Sequence, residues 1–89
     1  MSADTVIFRK WRKSFDPDQA VFALFPKIPA DLNGVYCTSY QHVGQHGAAD
    51  YNHCIRSSFP VKPEEYSDLA TELRQIGYDL NIRQRNSPR

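Results

Sequence analysis

The sequence predicts an α+β fold: a small antiparallel sheet of four to five strands, in the order β-β-β-(β)-α-β, with one helix packed on one face. Three observations predict it. Residues 5–11, 21–25 and 35–40 are rich in β-branched and aromatic side chains, as strands are. Residues 63–76 carry apolar side chains at helical spacing. The 89 residues suffice for one domain over 1–89 and are too few for two.

In residues 5–11, Val6 and Phe8 point to one face while Ile7 and Trp11 point to the other, as in a strand with apolar neighbours on both sides. Residues 14–19, SFDPDQ, carry turn chemistry, Pro17 fixing its own φ and restricting Asp16. The continuous apolar run 21–25 is expected as a central strand pairing back on the first. Residues 26–34 hold two prolines and an Asn33-Gly34 pair, and so read as a loop ending in a turn. Residues 35–40 are expected as a third strand, with Val35, Cys37 and Ser39 on one face and Tyr36, Thr38 and Tyr40 on the other. Residues 41–53 follow no regular period, and 54–59 are read as a fourth strand before Pro60.

The helix has the clearest signals. Pro63 suits the first helical position, and Glu64, Glu65 and Asp68 place negative charge near the positive end of the dipole. Tyr66, Leu69, Ala70, Leu73 and Ile76 form its apolar stripe, and Gly77 suits the left-handed residue that ends it. Tyr78, Leu80 and Ile82 then alternate with Asp79, Asn81 and Arg83, a half-buried final strand. Residues 1–4 and 84–89 are expected to fray.

Five Phe, five Tyr and one Trp supply bulky core side chains. A formal charge of +1 provides no global field for nucleic acid or membrane, and little repulsion against a homo-oligomer formed through an exposed strand edge. No stretch approaches the roughly 20 apolar residues that cross a bilayer, so no membrane partner is expected. The opening MSADTVIFRKWRK lacks the order of a secretory signal. Without one, Cys37 and Cys54 read as reduced thiols, and the expected location is cytoplasmic.

Residues 39–51 read SYQHVGQHGAADY and concentrate candidate chemistry. His42, Gly44, His46, Gly47, Asp50 and His53 make up the candidate functional loop, with Cys37 and Cys54 as candidate thiols on either side. As a metal site the ligands would come from His42, His46, Asp50, His53 and the two cysteines, a set that suits zinc. His42 and His46 stand four apart, but Gly44 and Gly47 disfavour a helix. No Glu adjoins His42, and the cysteines are not closely paired, so no cofactor is assigned. As a nucleophilic site, either thiol would need a neighbouring histidine to lower its pKa, yet Cys37 sits mid-strand, where cysteine usually acts as a small hydrophobe. The structural alternative is an ordered loop. Gly44 and Gly47 then supply positive φ, the histidines and Asp50 satisfy backbone groups, and Ala48 and Ala49 pack closely.

Arg9, Lys10, Trp11, Arg12 and Lys13 form the densest basic cluster, and Arg83, Arg85 and Arg89 add positive charge near the other end. If the first and last strands are neighbours these join into one patch, with Trp11 available for base stacking and the acidic helix as the opposite pole. The same charges would also protect a strand edge from aggregation.

The segments FRKW at 8–11, ALFP at 23–26, SYQHVGQHGAADY at 39–51 and EEYSDLATELRQIGYDL at 64–80 resemble a family of small uncharacterised bacterial proteins, over nearly the whole chain. The resemblance implies a bacterial, cytoplasmic, single-domain protein and carries no activity, ligand or catalytic residue with it. The expected function is a non-enzymatic binding module that contacts a protein or nucleic acid through the His-rich loop or the basic strand end. The alternative is a small metal- or thiol-dependent enzyme built on Cys37, His42, His46, Asp50 and His53, which requires a pocket where at least three of those side chains converge.

Overall fold

The computed structural model describes residues 4–30, 36–41 and 45–83, and of Gln45 and His46 the backbone alone. It contains β1 (Asp4–Trp11), β2 (Val21–Pro29), β3 (Cys37–Gln41), β4 (Gln45–Ala49), α1 (Tyr51–Arg56), β5 (Ser58–Pro60), α2 (Pro63–Gln75) and β6 (Leu80–Arg83). The fold is α+β. Strands β1 to β4 form an antiparallel meander, and the sheet runs β4-β3-β2-β1-β5 with β6 also paired to β1.

β1 is central because two short strands share its second edge. β6 lies parallel to residues 4–7 of β1 and β5 lies antiparallel to residues 9–11. Asp4, expected in a frayed tail, is instead in the ladder, its N–H donating to Asp79 O at 2.7 Å. β2 runs on to Pro29 where a loop was expected. Its register with β3 shifts between Phe25 and Pro29, where Pro26 and Pro29 have no N–H to give the ladder. The Asn33-Gly34 turn, Val35, Arg85 and Arg89 lie outside the described residues.

The fourth strand expected at 54–59 is a correction. Residues 51–56 form α1, and only Ser58–Pro60 is strand. The Asp50 carboxylate accepts from the His53 N–H at 3.3 Å and caps the helix, while Tyr51, Cys54 and Ile55 stand at the spacing that turns three apolar groups to one side. The sheet therefore has a helix on each face.

On one face α2 lays Tyr66, Leu69, Ala70 and Leu73 over Val6, Phe8, Ala23, Phe25 and Tyr40. Phe8 stacks on Tyr66 with centroids 4.5 Å apart, and the Tyr40 hydroxyl hydrogen-bonds the Glu72 carboxylate. On the other face α1 covers Ile7, Phe22, Leu24 and Cys37 with Tyr51 and Cys54. The alternation expected in β1 and β3 follows this division. α2 ends as its sequence predicts, with Gly77 at φ +114°, although Ile76, the last residue of the expected stripe, is exposed. No helix among the described residues is long and apolar enough to cross a membrane.

Candidate functional site

The chain leaving β1 builds one wall of a cleft. Arg12 N–H donates to Ser57 O at 3.0 Å, and Arg12 O accepts from the N–H groups of Phe15 and Asp16. The Asp16 carboxylate closes the turn by accepting from Asp18 N–H at 3.1 Å and Ala20 N–H at 3.0 Å. Gln19 takes φ +50°, and its side-chain amide donates to Trp11 O at 3.3 Å. A loop tied at so many points holds Phe15 outward, 57% exposed.

The opposite wall comes from α1 and the end of β3. His53 projects from the exposed side of α1 and meets the Phe15 ring edge-on, centroids 5.8 Å apart. Trp11, Phe15, Asp16, Ala20, Gln41 and His53 together line an open cleft of about 260 Å³. Trp11 is held by stacking on Phe22 at 4.2 Å. Arg12, which follows Trp11 in the chain, lies 4.8 Å over the Phe59 ring and donates through Nε to Arg56 O at 3.0 Å, and the Lys13 and Arg56 side chains are exposed.

The basic cluster expected from the sequence divides. Arg9 is only 6% exposed, and its guanidinium donates to Ser58 Oγ at 2.9 Å, Ser58 O at 2.7 Å and Ile55 O at 2.9 Å. Burial lowers its pKa from the ordinary value, with Tyr51 opposing the shift. Arg9 joins β1 to α1 and β5, and its charge faces inward. Lys10 pairs with Glu65 at 3.1 Å toward α2. A hydrogen bond from Lys62 N–H, followed by that contact, lowers the Glu65 pKa. β1 and β6 are neighbours, but Arg83 sits opposite Ile7, four residues short of Trp11, or about 13 Å along the strand. Of the cluster, Trp11 lines the cleft, and Arg12 and Lys13 follow it in the chain with exposed side chains.

The His-rich segment is also divided. His42 and Gly44 lie outside the described residues. His46 and Gly47 fall in β4, opposite Tyr40 and Ser39, and Gly47 O accepts from Ser39 Oγ at 3.1 Å. Asp50 is spent as the cap of α1. Among the described residues no three His, Cys, Asp or Glu side chains are grouped to hold a metal ion. Cys37 and Cys54 are buried thiols in one cluster. Burial, then the proximity of Cys37 and Asp50, pushes the Cys54 thiol up to about 11, so at neutral pH it is not the thiolate that attack requires.

Compared with protein-family models, curated proteins and solved structures, the chain matches none. No residue takes a role from a relative. The cleft is read from its own chemistry: aromatic edges and faces, a side-chain amide at Gln41, an imidazole at His53 and a carboxylate at Asp16. Phe15, Asp16, Ala20 and Gln41 are additions to the residues singled out from the sequence. One signal for Phe15 was available, a large apolar residue inside an otherwise polar turn.

Proposed function

We propose that this domain is a non-enzymatic binding module for single-stranded nucleic acid, with a base entering the cleft and the backbone crossing Arg12, Lys13 and Arg56. The observation that carries the reading is the combination of Trp11, Phe15 and His53 around one open cleft, with the exposed Arg12 and Lys13 following Trp11 in the chain and the Arg12 side chain bonded to α1 at Arg56 O. Planar bases stack on aromatic side chains with little regard to sequence, each stack contributing about 1–3 kcal/mol. Phosphates supply a sequence-independent electrostatic contribution that a local patch can collect even at a net charge of +1. The high pKa of the Cys54 thiol counts against Cys54 as the nucleophile of the thiol-dependent alternative.

Trp11 is the one tryptophan of the chain, so its fluorescence reports directly on the cleft. Titration with an oligothymidine strand at low salt should quench it saturably. Phe15→Ala should weaken binding at least about fivefold, in line with the loss of one stacking partner. An oligonucleotide that leaves the fluorescence unchanged, or binds Phe15→Ala as well as the parent, would falsify the reading.

A further inference from the structure

The sheet has two unlike edges. One is shared by β5 and β6, three and four residues long, with Pro60 on the first and Arg83 on the second. Short strands, proline and charge are the devices by which proteins keep sheet edges from pairing with other chains. The other edge is β4, and it has none of them. Its five residues, QHGAA, include no proline, acid, lysine or arginine, and all five pair with β3 without a register shift. Gly47 and Ala48 are exposed, and among the described residues no strand lies beyond β4.

We propose that β4 pairs antiparallel with β4 of a second copy of this chain, about a two-fold axis at Gly47, joining the two six-stranded sheets. The partner is identified by complementarity of the strand with its own reverse. In that register position 45 stands opposite 49, position 46 opposite 48, and Gly47 meets itself, so the two backbones can pair along the whole strand. No acid, lysine or arginine is brought against its own copy, and a net charge of +1 gives two chains little reason to repel. A two-fold contact is isologous and closes at two subunits. Five residue pairs bury less than the roughly 1,200 Å² of a stable interface, so the dimer forms reversibly in the high micromolar range. This inference is independent of the nucleic-acid reading, since β4 contributes no residue to the described cleft.

Sedimentation of the full chain from about 10 μM to about 1 mM should show monomer passing to dimer. Over the same series the amide signals of residues 45–49 should shift together. Ala48→Lys and Ala48→Glu, both at an exposed position, should each raise the dimer Kd at least about tenfold, because the register places the two copies of residue 48 diagonally across the axis. An equimolar mixture of the two variants should recover association. A monomer at every concentration would overturn the proposal, as would a dimer that both variants leave unchanged or a mixture that associates no better than either variant alone.

Discussion

Arg9 and Arg12 stand three positions apart, yet the fold uses them in opposite ways. Arg9 points among α1 and β5, where its guanidinium satisfies the carbonyls of Ile55 and Ser58 and the Ser58 hydroxyl. Removing it would leave those acceptors without the donor and open a void between β1 and α1. Arg12 remains at the surface over Phe59. Arg9→Ala should therefore lower stability by about 2–4 kcal/mol, because several charge-assisted hydrogen bonds are lost together. Arg12→Ala should cost no more than about 1 kcal/mol, the scale of an exposed cation–π contact. Urea denaturation of the two variants would measure the contrast. Arg9→Lys should fall between them, since a single ammonium cannot reproduce the planar fork that reaches Ile55 and Ser58 at once. A near-neutral Arg9→Ala would mean that the inward hydrogen bonds contribute little net stability.

The elements differ in how plainly the sequence encodes them. α2 is legible from end to end because its signals are local: Pro63 at the start, a stripe every three or four residues, and Gly77 past the end. The stop can be tested. A Cβ at Gly77 would meet no atom within 4 Å, so the cost of Gly77→Ala is that of backbone conformation alone at φ +114°. Thermal unfolding should show a loss of about 1–2 kcal/mol, and no loss would mean that another residue takes over the turn. α1 is not legible in the same way. It has six residues, too few for a periodic stripe to stand out, and Cys54, Ile55 and Phe59 read equally as strand. What selects the helix is the Asp50 cap together with a sheet face that Tyr51 and Cys54 can cover, and that face exists only once β1, β2 and β3 have paired. The cleft is hidden for the same reason. Trp11 and His53 stand out as residue types, but they meet Gln41 only because β3 ends, and α1 lies, beside the end of β1.

For the whole molecule, charge decides how a partner approaches. The acidic residues Glu64, Glu65 and Asp68 are exposed on α2, which covers one face of the sheet, while Arg12 and Lys13 are exposed where the chain leaves β1 and Arg56 is exposed at the end of α1, which covers the other. A net charge of +1 exerts little steering beyond a Debye length of about 10 Å at 0.1 M salt, so the local cations must carry the electrostatic part of binding. Each phosphate neutralised on a single strand contributes about −0.7 to the slope of log K against log salt concentration. Backbone contact at Arg12, Lys13 and Arg56, the proposed rim, predicts a slope of about −2 for oligothymidine, measurable by Trp11 quenching across a salt series. Lys13→Ala should bring the slope to about −1.4 without altering the quench at saturation, since the stacking surfaces remain. A slope near zero would leave the cleft as a site for a planar uncharged ligand and remove the backbone from the reading. A slope of −4 or steeper would require cations beyond this rim, drawing Lys10 out of its pair with Glu65 or bringing Arg83 into contact, and would move the interface along β1 away from the cleft.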